Sequence, residues 1–382
     1  MNPLTPLLSL GVTAATLLSN HVLDGSPPVP DREAHAGSVV IILPARNEAR
    51  NIQGAVTSLL GTAARYGDAQ VLVVDDGSTD RTTEIVRALQ RAHPRLALLE
   101  VDELPEGWYG KPHACWRGAQ TPLARRAEWL LFVDADTVSE PALLGRLVAG
   151  ARDTGADLFT IFPHQRLVTV AERLVMPHIF TAIALGFPWR AVNDPDSPLA
   201  IANGQCILVR RAAYDAVGGH AAVRQEIAED QALAERLKGA GYPLHIADGR
   251  DLMTTRMYTS FASLWEGWTK NAYLGLGNRT WLLLLAVGLG FLGGVYPFIA
   301  VPRALARREW GRAALWSLAL TTVLHNRDRA MREFRVPRWY TLTLPLGIVL
   351  CSAIAIGAWF KGASGRGVTW KGRRYATGDA SL

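Results

Sequence analysis

Three acidic clusters supply the residue types from which group-transfer chemistry is built. Asp75 and Asp76 open the run Asp75-Asp76-Gly77-Ser78-Thr79-Asp80, Asp134 and Asp136 flank Ala135, and Glu229-Asp230 follows Ala228. A carboxylate at a strand-to-helix turn can accept bonds from a base N–H or a ribose hydroxyl, while the helix N-terminus beyond it favours negative charge. Two like charges as close as Asp134 and Asp136 call for a cation or hydrogen-bond donors between them and a ligand. Their hard oxygens select Mg2+ or Mn2+, ions that keep positions open for phosphate oxygens. Asp230, at the start of an amphipathic helix, has the chemistry of a general base for an acceptor hydroxyl. Each cluster also has a bland reading. Asp-Gly-Ser-Thr-Asp makes an ordinary turn and cap, Asp-x-Asp is common by chance, and Glu-Asp in a first helical turn simply suits the dipole.

Other residues extend or narrow that chemistry. Lys111, in Gly107-Trp108-Tyr109-Gly110-Lys111, has the charge to meet phosphate, but Pro112 follows it and the glycine spacing is not that of a Walker motif. No Gly-x-Gly-x-x-Gly follows the first strand, which argues against a dinucleotide enzyme. Arg256 and the stretch Trp265-Glu266-Gly267-Trp268-Thr269-Lys270-Asn271 offer what a leaving diphosphate and an apolar acceptor need, although tryptophans there also suit interfacial anchoring. His113, His164, His178, His220 and His245 lack metal-ligand spacing and read as structural. Cys115, Cys206 and Cys351 are too far apart for a disulfide framework or a zinc site, so a reducing compartment is expected.

The elements that must position these residues show in the hydropathy pattern. Val39-Val40-Ile41-Ile42-Leu43, Val71-Leu72-Val73-Val74, Leu96 to Val101 and Trp129-Leu130-Leu131-Phe132-Val133 read as strands buried on both faces. Amphipathic helices are expected between them, over about 48–60, 80–92 and 139–152, the last capped by Ser139 with Pro141 behind it. Continuous apolar strands separated by helices give an α/β fold whose mostly parallel sheet is covered on both sides. Ligands bind such sheets at the carboxyl ends of the strands. Pro44-Ala45-Arg46-Asn47-Glu48, Asp75-Asp76 and Asp134-Ala135-Asp136 all follow strands, and in an extended strand Asp134 and Asp136 would point the same way.

The chain has 382 residues, of which 49% are hydrophobic and 19% charged, and its mean hydropathy is +0.10. That is too apolar for disorder and too charged for a wholly intramembrane protein. The net charge of +6 suits an anionic partner, and among such partners acidic headgroups or a nucleotide are expected rather than nucleic acid. The apolar excess is local. Residues 3 to 23 form an N-terminal membrane or interfacial helix (1–24) without a basic n-region, followed by the stiff linker Ser26-Pro27-Pro28-Val29-Pro30. Trp281 to Val301 and Trp339 to Phe360 are long enough to span, and Trp310 to Leu324 is weaker. Every loop between them is basic, so simple alternation fails and some segments should be interfacial or re-entrant. The expected division is a catalytic domain over 38–275, membrane segments over 276–361 and a basic tail over 362–382.

Taken in order over about residues 38 to 275, these clusters resemble a family 2 glycosyltransferase with the GT-A fold. The resemblance implies that Asp75 and Asp76 contact uridine, with Pro44, Ala45 and Glu48 lining base and ribose. It places Asp134 on the ribose, Asp136 on the metal, Lys111 near the donor phosphates and Asp230 as the base. Gly204, Gln205, Glu229, Arg256, Trp265 and Trp268 then fall on the acceptor or diphosphate side. The family's Gln-x-x-Arg-Trp element does not occur as such, and Arg256 with Trp265 to Asn271 stands in its position, which weighs against processive polysaccharide synthesis. Gly218-Gly219-His220, Trp268-Thr269-Lys270-Asn271 and Gly367 to Arg373 resemble membrane enzymes that glucosylate carotenoid acids and their hopanoid-associated relatives. This implies an inverting transfer of a hexose, glucose, from UDP-glucose to a carotenoid or other isoprenoid lipid. The enzyme would sit in the cell membrane with its catalytic domain cytoplasmic. Rival readings are polysaccharide or polyprenyl-phosphate glycosyl transfer and a scaffold that binds a nucleotide sugar or lipid. A nucleotidyltransferase would need a glycine-rich basic loop after the first strand, which Pro44 to Glu48 does not supply.

Overall fold

The computed structural model describes residues 4–23, 27–271, 279–363, 368–370 and 373–375. The chain divides into two units, one made of Gly25–Arg166 with Phe187–Met257, the other of the N-terminal segment, Leu167–Gly186 and everything from Tyr258 onward. The first unit contains ten strands: β1 Val39–Ala45, β2 Ala69–Asp75, β3 Leu96–Glu100, β4 Trp129–Val133, β5 Thr137–Ser139, β6 Leu158–Phe162, β7 His164–Gln165, β8 Cys206–Arg210, β9 Leu244–Asp248 and β10 Met253–Thr255. Seven of them form one sheet in the order β3-β2-β1-β4-β8-β6-β9. Its strands are apolar throughout because both faces are covered. Val39, Ile41 and Leu43 pack with the helices Ile52–Tyr66 and Leu143–Thr154. Val40 and Ile42 face the helices Gly110–Ala119 and Glu229–Gly239.

Two features of this sheet create the functional edge. β1 pairs with β4 only from Val39 to Ile42, whereas its pairing with β2 continues to Ala45. Pro44 therefore sits where β4 has already left, so its missing N–H breaks no ladder on that side, at the strand edge where such sheets bind ligands. The second feature is β8, which runs antiparallel to both β4 and β6 in an otherwise parallel sheet. Its reversed direction brings its lead-in, residues 203–205, to the edge where β4 and β6 end. A smaller sheet, β5-β10-β7, extends the same region.

The expected strands are present, but the helices begin later than their patterns suggested. They start at Ile52, Thr82 and Leu143. Ser139 is not a helix cap. It lies in β5 opposite Met253, and its N–H donates to Ser58 Oγ at 3.1 Å. The helix behind it is capped from outside, by Thr62 Oγ1 accepting from Leu144 N–H at 3.0 Å. The proline-rich linker is pinned to this unit through Asp248 N–H on Pro27 O at 2.8 Å and Arg146 Nη2 on Val29 O at 2.8 Å.

The second unit is helical. Leu4–Leu23, Val170–Gly186, Phe261–Asn271, Thr280–Gly294, Tyr296–Ala306, Trp310–Glu333 and Leu344–Ala363 are its helices. Among the described residues one stretch, Arg338–Lys361, is long and apolar enough to cross a bilayer by itself. The expected span from Trp281 to Val301 is instead broken near Val295, where two helices meet at 41° just before Pro297. The weaker segment, Trp310 to Leu324, belongs to a helix that continues through Arg327 and Asp328 to Glu333. The apolar part of the first helix, Leu7–Leu18, is shorter than a span. Pro177 interrupts the ladder of Val170–Gly186, and buried Arg327 donates through Nη2 to the carbonyls of Leu174 and Arg173 at 3.3 and 3.4 Å. Residues 276–278, where the expected membrane segments begin, and Gly367, Lys371 and Gly372 of the tail lie outside the described residues.

Candidate active site

The ends of β1 and β2 are stitched into one wall. Asp76 N–H donates to Ala45 O at 2.8 Å, Asn47 N–H to Ser78 Oγ at 2.9 Å, Thr79 N–H to Asn47 Oδ1 at 2.8 Å and Glu48 N–H to Thr82 Oγ1 at 2.8 Å. Asn47 holds φ 54°, a left-handed conformation that asparagine tolerates better than most residues. Asp75 and Asp76 are both 4% exposed. One Asp75 oxygen accepts from Ser78 N–H at 3.1 Å, and the other, Oδ1, is buried without a hydrogen bond. A buried acceptor in that state matches the N–H or hydroxyl of a nucleoside. Pro44 and Glu48 are partly exposed on the same wall, while Ala45 is buried.

The centre of the site is an ion cluster drawn from four parts of the unit. Lys111 lies in the first turn of Gly110–Ala119, and its Nζ is 2.8 Å from Asp134 Oδ1 and 2.9 Å from Glu229 Oε1. Asp230 Oδ2 accepts from Gly204 N–H at 2.8 Å, and its Oδ1 from Gln231 N–H at 2.9 Å. The approach at Gly204 leaves no room for a side chain. A β-carbon there would lie 2.8 Å from Asp230 Oδ2 and 2.9 Å from Lys111 Nζ. Burial, reinforced by Glu229, pushes the Asp230 carboxyl up to about 6, against the opposing pull of Lys111 and the two N–H groups. Burial also works against the charge on Lys111, but Asp134, Glu229 and Asp230 outweigh it and hold the ammonium well above the ordinary lysine range. The buried Cys115 thiol, pushed up by burial, feels Lys111, Glu229, Asp134 and Asp76 together.

Strand alternation does not orient Asp134 and Asp136 as expected. β4 ends at Val133, and the two aspartates occupy a turn closed by Thr137 Oγ1 donating to Asp134 O at 2.8 Å. Asp134 turns its carboxylate to Lys111, while the Asp136 carbonyl accepts from Arg256 N–H at 3.3 Å. Arg256 is thus placed beside Asp136 by β10. Gln205 is 5% exposed, with its carboxamide among other buried side chains rather than open to an acceptor. Trp265 and Trp268 belong to the helical unit. Trp268 Nε1 donates to Met176 Sδ at 3.1 Å, and the Trp265 ring lies 5.9 Å from that of Phe261. His220 is structural, as expected. Its Nδ1 meets Tyr214 Oη at 2.9 Å and burial drops it to about 4, so it stays neutral. Gly219 explains itself in the same place, with φ 50° and a Tyr214 ring 2.3 Å from where its β-carbon would be.

Among the described residues, no group of three or more His, Cys, Asp or Glu side chains converges as a closed metal cage. The turn at Asp134–Asp136 fits a different arrangement. Asp134 Oδ1 is engaged by Lys111 at 2.8 Å, so an ion on Asp136 would fill most of its shell with phosphate oxygens and water.

A mixed but mostly parallel sheet with acidic turns at its carboxyl edge defines a nucleotide-sugar fold of the GT-A type. The solved mannosyltransferase PcManGT from Pyrobaculum calidifontis, in complex with GDP-Man and Mn2+, has a similar fold, with a TM-score of 0.53 and 18% identity over 94% of this chain and 98% of that one. Residues 40–218 match the model of glycosyl transferase family 2, and the protein is a glycosyltransferase. It is also similar to the 4,4'-diaponeurosporenoate glycosyltransferase of Staphylococcus aureus (strain USA300), with 27% identity over 89% of this chain and 88% of the relative.

Proposed function

We propose that the protein transfers glucose from a UDP-sugar to an isoprenoid lipid at the membrane, inverting the anomeric centre. The observation that carries this reading is Asp230. It is a carboxylate with a pKa near 6, aimed by the Gly204 N–H into a cluster with Lys111, Glu229 and Asp134. In this mechanism Asp75 and Asp76, with Pro44, Ala45 and Glu48, hold the nucleoside, and Asp134 faces the ribose. Asp136 would hold Mg2+ or Mn2+, which when bound supplies positive charge to the departing diphosphate. Lys111 and Arg256 add charge on that side. An acceptor hydroxyl oxygen forms a bond to the anomeric carbon as the bond from that carbon to the β-phosphate oxygen breaks. The electron pair leaves with the diphosphate and the hydroxyl proton passes to Asp230. A carboxylate acceptor arrives already ionised, and Asp230 then orients it instead.

The acceptor class is supported by the name of the Staphylococcus relative, which is that of a diaponeurosporenoate enzyme. Exposed Trp281, Leu284, Leu285, Trp339, Leu346 and Phe360 in the helical unit suit contact with lipid, and free cysteines suit a cytoplasmic catalytic domain over 38–275. Trp265 and Trp268 belong to the acceptor side in this reading.

The test uses purified full-length protein in detergent with UDP-glucose, GDP-mannose or UDP-N-acetylglucosamine, an isoprenoid acid, alcohol or phosphate, and Mn2+ or Mg2+. Glucolipid formation from UDP-glucose is expected, with donor binding lost on chelation and in Asp136→Ala. Absence of turnover for every donor with either ion would leave a nucleotide-sugar scaffold in place of an enzyme.

A further inference from the structure

Between the Asp230 side of the site and the Asp136 side lies a buried network of amides and hydroxyls. Gln205, Gln165 and Thr255 are 5%, 3% and 1% exposed. Asn203 is anchored by main chain at both ends of its carboxamide, with Nδ2 donating to Ile161 O at 3.2 Å and Oδ1 accepting from Gln205 N–H at 3.2 Å. That fixes which way it faces, so Gln205 must present its oxygen to it. Gln205 Oε1 accepts from Asn203 Nδ2 at 3.3 Å and from Gln165 Nε2 at 3.1 Å. Gln205 Nε2 is left to face Thr255 Oγ1 at 3.5 Å. A buried carboxamide engaged at both ends has one orientation, because a flip would set donor against donor.

The backbone joined to this network is the part that meets the carboxylates. Gly204 N–H donates to Asp230 Oδ2 at 2.8 Å, and Gln205 O accepts from Asp134 N–H at 3.4 Å. Thr255 adjoins Arg256, whose N–H donates to the Asp136 carbonyl at 3.3 Å. β7 contributes Gln165 directly opposite Thr255 on β10. The Gln205 side chain thus joins the peptide beside the base to the strand beside the metal position.

We propose that Gln205, locked by Gln165, is a positioning residue for glycosyl transfer, its carboxamide fixing Asn203 and with it the Asn203-Gly204 peptide, so that the Gly204 N–H aims the Asp230 carboxylate at the acceptor. The role rests on Asp230 acting as the base. It differs from the direct acceptor or diphosphate contact expected of Gln205, because the side chain is turned into the protein. Loss of the tie leaves the donor-binding wall at Asp75 and Asp76 intact but loosens the group that must meet the acceptor proton. Misplacement on the scale of 1 Å can cost about a hundredfold in rate.

The experiment compares Gln205→Leu, Gln165→Leu and the double variant in purified full-length protein, with Asp230→Asn as reference. Each single variant should lower kcat about tenfold to a hundredfold while donor KM stays within about threefold. The acid limb of the kcat profile should move to higher pH, since the Gly204 N–H favours the charged form of Asp230. The double variant should be no slower than the worse single, because both cut the same tie. Full kcat with an unmoved acid limb in Gln205→Leu overturns the proposal, and so do losses that multiply in the double variant. An inactive Asp230→Asn beside a fully active Gln205→Leu removes the tie alone, whereas an active Asp230→Asn removes the base and the tie with it. Should Gln205→Leu fail to fold, Gln165→Met carries the same expectations from the far end of the bond.

Discussion

Keeping Asp230 ionised works against the fold. Its carboxyl ordinarily titrates near 3.8 and in the folded protein near 6. Below the lower value it is protonated in both states and nothing is lost. As pH rises through the higher one, the folded chain must give up a proton that its surroundings favour, so stability falls. Asp230→Asn should therefore raise the thermal midpoint at pH 8, by the equivalent of about 3 kcal/mol, with the gain vanishing near pH 4. The same variant should lower kcat by about two to four orders of magnitude with donor binding retained. Calorimetry at the two pH values decides it, and a less stable variant at pH 8 would mean that Lys111 outweighs the burial. Gly204→Ala tests the geometry from the other side, since the added methyl displaces Asp230 or Lys111. A kcat loss of about tenfold or more is expected with little change in melting. At this scale the sequence named the ionisable groups but not their partners. Lys111 reads as a phosphate contact because nothing local tells it that Asp134 and Glu229 will fold around it. Gln165, Asn203 and Thr255 carry no signature, because a polar residue is marked as buried only by what surrounds it.

Thr160 shows how a single hydroxyl holds two elements in register. It is fully buried in β6, accepts from Asn203 N–H at 3.0 Å and donates to Cys206 O at 2.9 Å. Thr160→Val keeps the shape and leaves both main-chain groups unsatisfied, which should cost about 1–3 kcal/mol in a denaturant titration and slow turnover as well. An unchanged midpoint would mean that the lead-in of β8 finds other partners. Of the ten strands, β1 to β4 were legible from their apolar runs. The direction of β8 was not, since Cys-Ile-Leu-Val-Arg reads the same whichever way it is laid against β4. Helix starts were misjudged for a related reason. Residues 46–51 and Ser139 have helix-compatible chemistry, yet the main chain there is taken up by the neighbouring turn and strand.

For the molecule as a whole, the helical unit is where composition and fold diverge most. The basic loops argue against simple alternation, and the helices on either side of Val295 meet at 41° rather than forming one straight span. The helix Val170–Gly186 escaped notice because Glu172 and Arg173 and then Pro177 interrupt its apolar run. Leu346 and Val349, 51% and 44% exposed on the helix Leu344–Ala363, offer a direct test of lipid contact. Replacing both by arginine should strip the protein from carbonate-washed membranes, as each charge near a span's centre costs about 2.5–3.5 kcal/mol. Undiminished retention would show that this helix does not face lipid.

The chain passes between the two units at residues 24–25, 166–167, 186–187 and 257–258, so neither is an uninterrupted length of polypeptide. During synthesis β8 and β9 leave the ribosome only after an apolar excursion has already emerged, and the seven-stranded sheet must wait for it. A gene fragment trimmed to 38–275 would carry Leu174 and Val175 away from Arg327 and Cys351, which meet their carbonyls. Recombination between relatives therefore has no clean seam here.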